Sequence, residues 1–312
     1  MDLDANALTA VLREEYGLTI TSVAQLSGFY DANFRIDTTA GSFFVKVYGH
    51  DPLPVVLFQI DLINTLYGAG LPVGRLCLTK AGASYFVFND MVGIVQTFLP
   101  GRHLADAPKT ESLFHNLGET LGRIHASTDG KRFAGEAWKV YPWDLKQFDL
   151  PVSHMSGVEK FLNTKTRAAC QLVIEEWKRS TAQFDHLRTG VIHNDFHNKN
   201  VLVERDHVVG ITDFGDSMRS WFAADVATAI AHFDFDDPQV LNFIKIFLSG
   251  YESAFILTDD EKVLLPLLIK MRAVVVLIEI PKHFAEQRTP LYEQFFTDAA
   301  RVLEVDMRSV IA

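Results

Sequence analysis

The stretch VIHNDFHNKNVLVERDHVVGITDFGDS, Val191 to Ser217, decides how this chain is read. Reduced to its chemistry it is His193-x-Asp195-x4-Asn200, an apolar run to Thr212, and then Asp213-Phe214-Gly215. Val201 to Thr212 reads as a β-hairpin that holds two polar loops together. A carboxylate, an amide and a second carboxylate on two such loops suit one task. They hold a nucleotide with its Mg²⁺ while a base addresses a hydroxyl. Asp195 is read as the base, and Asn200 and Asp213 as hard oxygen ligands for Mg²⁺. His193 is read as structural support for the loop. H-x-D or D-F-G alone carries little weight, but here both occur in order with strand-like runs between them.

Outward from this motif, residues 4–16 pattern as a helix with Leu8, Val11 and Leu12 on one face and Gly17 at its end. Strand-like runs follow at Ser22–Leu26, Asn33–Thr38 and Ser42–Tyr48, then a helix from Pro54 to about Tyr67, then strands Tyr85–Asn89 and Gly93–Phe98. Beyond Leu99-Pro100-Gly101 helical spacing takes over. Leu113, Leu117, Leu121 and Ile124 repeat on one face up to His125, residues 156–184 read as one long helical stretch, and Ala223 onward reads as helices. The expected fold is therefore α+β and two-lobed. A β-rich N-terminal lobe spans residues 1–98 and binds nucleotide. A mainly helical C-terminal lobe spans 99–312, carries the catalytic loop and binds the acceptor.

The composition narrows the class further. Of 312 residues 48% are hydrophobic, which excludes a disordered chain, and a net charge of −10 argues against a nucleic-acid or anionic-membrane surface. Two cysteines, Cys77 and Cys170, make no disulfide framework and point to a reducing, cytoplasmic setting. The most apolar stretch, Leu264 to Ile280, is broken by Pro266, Lys270, Arg272 and Glu279 and reads as a buried helix, not a membrane span.

His193-Asn194-Asp195-Phe196-His197 and the Asp213-Phe214-Gly215-Asp216 that follows resemble the aminoglycoside phosphotransferase and choline kinase family, relatives of the protein kinases. The second of these, with the loop Tyr30-Asp31-Ala32-Asn33-Phe34, is most similar to the hydroxylysine kinase branch, and homoserine kinases also look close. The resemblance implies a two-lobed protein-kinase-like fold and transfer of the γ-phosphate of ATP, or of GTP, to an alcohol of a small molecule. It sets His197 beside Asp195 in the catalytic pair, where protein kinases carry Lys, and makes Asp225 the buttress of the catalytic loop. A protein Ser/Thr kinase would need an activation segment, and only nine residues lie between Gly215 and Asp225. A catalytically inactive kinase-fold module is the other alternative, against which stand Lys46, Asp195, Asn200 and Asp213.

On the nucleotide side the resemblance implies a strand lysine, and Lys46 is the sole cation in Ser42–Tyr48. The loop through Tyr30 and Asn33 would cover the phosphates, and Gln96, Thr97 and Phe98 resemble the segment whose backbone meets the adenine. Such kinases pair the lysine with a Glu on the next helix, but Val55–Tyr67 has none. Gln59 shares a face with Leu62, Ile63 and Leu66 and is expected to replace it, with Asp61 on the opposite face.

Residues 213–260 hold nine acids against Arg219 and Lys245, which favours a cationic acceptor. Asp216, Asp234 and Asp236 are the candidates for holding its ammonium group.

Overall fold

The computed structural model describes residues 3–28, 31–136, 140–284 and 290–308. The chain divides into two compact units. The first is Met1–Arg102 with Arg132–Ala137 and Val209–Gly215, and the second is the remainder. A single cut at 98/99 misses the two inserted pieces, and their hydrogen bonds explain why they belong with the first unit. The Ala134 N–H donates to the Asp61 carboxylate at 2.9 Å, and the Ile211 N–H to the Pro72 carbonyl at 2.8 Å.

The first unit opens with helix α1 (Ala5–Tyr16), capped by the Asp4 carboxylate and closed by Gly17 at φ 69°. Strands β1 (Ile20–Leu26), β2 (Ala32–Thr38) and β3 (Gly41–Val47) lead to helix α2 (Leu53–Gly68) and to β4 (Phe86–Phe88) and β5 (Met91–Thr97). They form one antiparallel sheet in the order β1-β2-β3-β5-β4. Phe34, Ile36, Val45, Val47 and Val95 fill one face of it against Leu8 and Leu12 of α1. Because successive strand side chains alternate faces, Lys46 stands opposite Val45 and Val47, directly across from Asn33 and Ile94.

The second unit is mainly helical. Helix α3 (Glu111–Thr128) is capped by Thr110. The expected continuous helix over 156–184 is broken: short turns end at Leu162, and Asn163, extended at ψ 165°, caps a separate helix α4 (Thr164–Ser180). Strand β6 (Thr189–Ile192) is followed by the hairpin strands β7 (Val201–Glu204) and β8 (His207–Ile211), and β9 (Met218–Trp221) pairs with β6. Helix α5 (Phe222–Ala231) is buried along its whole length. Helices α6 (Val240–Ala254), α7 (Asp259–Phe284) and α8 (Pro290–Val302) complete the unit. No helix among the described residues is long and apolar enough to cross a membrane. Helices α3 and α6 meet backbone to backbone: a Cβ on Gly118 would stand 1.9 Å from the Phe247 carbonyl oxygen, and one on Gly250 2.0 Å from that of His115. Across the same helix pair His125 of α3 meets the Tyr251 hydroxyl of α6 at 2.7 Å.

Candidate active site

In the first unit charged and polar groups gather around Lys46. Its ammonium lies 2.9 Å from Asp31 and 3.1 Å from Asp213, and 5.2 Å from the centre of the Tyr48 ring. Burial alone would push the ammonium's pKa down. Asp213, the Tyr48 oxygen and Asp31 outweigh it and hold the pKa above the usual lysine range. Gln59 is not the lysine's partner, contrary to the expectation. It is buried on the predicted face, but its carbonyl oxygen accepts from the Tyr48 hydroxyl at 3.0 Å and its amide donates to Asp51 at 3.3 Å. The lysine's carboxylate comes instead from the loop before β2. Asp31 takes the place the helix Glu would hold, with its second oxygen accepting the Gly49 N–H at 3.1 Å.

Asn33 donates to the Ser27 carbonyl at 3.1 Å, and its own carbonyl oxygen is buried with no partner among the described residues. It therefore ties down the loop at Gly28, where a Cβ would meet the Asp31 carbonyl oxygen at 2.6 Å. Tyr30, named with this loop from the sequence, lies outside the described residues. At the expected adenine edge, the two backbone donors are already used. The Thr97 N–H goes to Arg75 O at 2.9 Å and that of Phe98 to Ser42 O at 3.1 Å. The Gln96 amide donates to Gly74 O at 2.9 Å. A base seated here therefore meets other groups than these two N–Hs.

The catalytic loop lies in the second unit. Asp225, with no solvent exposure, accepts the N–H of His193 and that of Asn194, each at 2.8 Å, and the Nε2 of His125 at 3.0 Å. The Tyr251 hydroxyl meets His125 Nδ1 at 2.7 Å, so the chain runs Tyr251 to His125 to Asp225 to the loop backbone. Asn194 sits at φ 64°, a left-handed conformation that such an anchor holds in place. The His193 ring accepts the Asp195 N–H through Nδ1 at 3.3 Å.

Asp195 is thereby presented with its carboxylate bound by the Asn200 amide at 2.7 Å and by His197 Nε2 at 3.3 Å. His197 Nδ1 accepts the Lys199 N–H at 3.1 Å, which assigns the ring proton to Nε2, facing Asp195. His197 is thus a positioning residue for the base. Burial would raise the Asp195 pKa. His197, through its Nε2, and then the Arg272 guanidinium outweigh burial and hold it well below the usual carboxylate range.

Asn200 turns its amide nitrogen to Asp195, so its carbonyl oxygen is the atom it could offer a metal. Asp213, at φ 59°, keeps a half-exposed carboxylate. An amide oxygen and a carboxylate are hard donors that fit Mg²⁺, which takes one or two protein ligands beside phosphate oxygens and water.

The acidic segment does not form a cation-seeking face. Lys109 pairs with Asp234 at 2.6 Å and Asp237 at 3.0 Å, and Arg301 pairs with Asp236. Cations distant in sequence neutralise these acids, so Asp234 and Asp236 are structural. Asp216 is placed differently: it accepts from the Tyr141 hydroxyl. Arg272, Tyr141 and Asp31 stand against Asp195, Asp216 and Lys46 and were not among the candidates named from the sequence. Arg272 entered the sequence reading only as an interruption of an apolar run, and a cation in the middle of a buried helix was the available signal.

The Phosphotransferase enzyme family matches residues 22–263, and the chain belongs to that family. It is 23% identical over 300 residues to hydroxylysine kinase of Mus musculus, covering 85% of this chain and 78% of that one. It is 27% identical over 285 residues to homoserine kinase of Gluconobacter oxydans (strain 621H), covering 89% and 87%. Among solved structures it superposes on an amicoumacin kinase in complex with AMP-PNP and Ca²⁺ with a TM-score of 0.73, at 17% identity over 97% of this chain and 93% of that one. That likeness supports the α+β, protein-kinase-like fold.

Proposed function

We propose that this protein is a small-molecule kinase that transfers the γ-phosphoryl group of ATP to a hydroxyl of a small, amine-bearing acceptor. The observation that carries the reading is the half-buried Asp195 carboxylate, held ionised by its neighbours. It is held by Asn200 and His197 on a loop that Asp225 anchors through two backbone N–H groups. Lys46 holds phosphate oxygens by charge. Asn200 and Asp213 would hold the Mg²⁺, which supplies charge neutralisation on the phosphates. Asp195 orients the acceptor hydroxyl and takes its proton as the oxygen bonds to the γ-phosphorus. The bond from that phosphorus to the β,γ-bridging oxygen breaks, and the nucleoside diphosphate leaves with the electron pair.

Asp216, fixed by Tyr141, is the carboxylate available to an acceptor ammonium. ATP as donor fits the cytoplasmic setting read from two cysteines that the structure leaves unpaired.

The test is acceptor-dependent release of nucleoside diphosphate from Mg²⁺-ATP and Mg²⁺-GTP across amino alcohols, hydroxylated amino acids and aminoglycosides. With the acceptor found, Asp195→Ala should lower kcat by about 10²–10⁴-fold while nucleotide affinity is kept. A variant retaining more than about a tenth of kcat would remove Asp195 from the role of base.

A further inference from the structure

Helix α7 carries Arg272 in its middle, 2% exposed and surrounded by apolar positions. A guanidinium has five N–H donors. Among the described residues Arg272 makes one hydrogen bond, from Nη1 to the Trp143 carbonyl at 3.1 Å. Its Nη2 forms an ion pair with Asp195 at 3.6 Å, too long for a hydrogen bond, and Nε is buried with no hydrogen-bond partner among the described residues. The guanidinium lies over the Trp143 ring, 5.0 Å from its centre, which holds it in one orientation.

A buried cation whose hydrogen-bond donors are mostly unmatched is a costly arrangement that calls for an explanation, and a ligand that completes those donors supplies one. Base chemistry does not account for it. A cation beside Asp195 holds the carboxylate ionised and so makes it a weaker proton acceptor. A second unmatched atom lies in the same neighbourhood. The Nε2 of His232 is buried with no hydrogen-bond partner among the described residues, on a ring 5.0 Å from that of His197. Burial drives the His232 pKa well below the ordinary histidine range, so the ring is neutral.

We infer that Arg272 is a specificity residue that binds a carboxylate of the acceptor, so that the substrate is a zwitterionic hydroxy amino acid and not an amino alcohol or aminoglycoside. Two parallel N–H donors of a guanidinium match the two oxygens of a carboxylate, a match no hydroxyl or amine can make. With Asp216 receiving the ammonium, the acceptor brings one charge of each sign to a site that already holds both. The inference rests on the kinase reading above and adds the acceptor class to it.

The experiment compares acceptors in pairs that differ only by the carboxylate: serine with ethanolamine, homoserine with 3-aminopropan-1-ol, and 5-hydroxylysine with its decarboxylated diamine. For the pair whose chain length fits, kcat/KM should favour the amino acid by on the order of 10²–10³-fold. In Arg272→Gln the ratio within that pair should fall toward one, with the loss in KM for the amino acid. Arg272→Lys, which keeps the charge without the fork, should recover part of it. A merely structural role for Arg272 would change both members of a pair alike. Turnover of an amino alcohol equal to or above that of its amino acid, in the unmodified protein, would overturn the inference and leave the kinase reading intact. No nucleoside diphosphate from any pair, nor from the aminoglycosides, would refute both. The wild-type comparison decides even if the variants fail to fold.

Discussion

Asp225→Asn is the most revealing single perturbation of this protein. The native carboxylate accepts three hydrogen bonds, from the His193 and Asn194 N–H groups and from His125. An asparagine has one acceptor oxygen. Its cheapest placement keeps that oxygen toward His193 and His125 and turns the amide nitrogen against the Asn194 N–H. One bond to a charged acceptor is then lost, about 1.5–3 kcal/mol, and the two survivors fall to neutral bonds, each weaker by about 1 kcal/mol. The total is about 3.5–5 kcal/mol. For a chain of this size that corresponds to a fall in Tm on the order of 6–10 °C, read by calorimetry. Asn194 at φ 64° loses its anchor immediately before Asp195, so kcat should fall by about 10²-fold through misplacement of the base. A variant melting within about 2 °C of the parent and keeping half its kcat would refute the anchoring argument.

Gly118→Ala gains the intrinsic helix preference of alanine, about 0.8–1.0 kcal/mol, yet must part α3 from α6. We expect a net loss of about 1–3 kcal/mol in denaturant titration, and a stabilised variant would contradict the close approach. Gln59→Glu places a buried carboxylate against that of the half-buried Asp51 and removes the amide donor that Asp51 now accepts from, so it should lower Tm and fail to tighten nucleotide binding; an unchanged Tm and a lowered nucleotide Kd would argue that the introduced carboxylate reaches Lys46. Burial, with Asp234 nearby, pushes the Asp298 carboxyl up to about 6. Its ionisation therefore opposes folding: the penalty is absent below the unfolded value near 3.8, grows between there and 6, and is complete above. Asp298→Asn should accordingly raise Tm at pH 7–8 and not at pH 4, and a gain independent of pH would refute this.

Much of the candidate site was legible in the sequence because it is local. The spacing of His193, Asp195 and Asn200 and the following Asp213 lie on one loop–hairpin–loop unit, where residue types and distances along the chain specify the chemistry. Strand alternation placed Lys46 off the apolar face, and helical periodicity buried Gln59, since both follow from backbone periods of two and 3.6. The break at Asn163 was missed because capping competes with periodicity over a few residues, and a polar side chain inside an amphipathic run reads either way.

What the tertiary structure decided was partnership. Gln59 faces inward as its spacing requires, but the carboxylate beside Lys46 is Asp31, and Gln59 reaches Tyr48 instead. The acids at 234 and 236 looked like a cation site until Lys109 and Arg301, 125 and 65 residues away in the chain, were found against them. Arg272, an interruption in an apolar helix by sequence, lies beside the catalytic carboxylate. Periodicity assigns a residue to a face. Which charge it meets there depends on contacts between elements far apart in the chain, and a one-dimensional pattern holds no record of those distances.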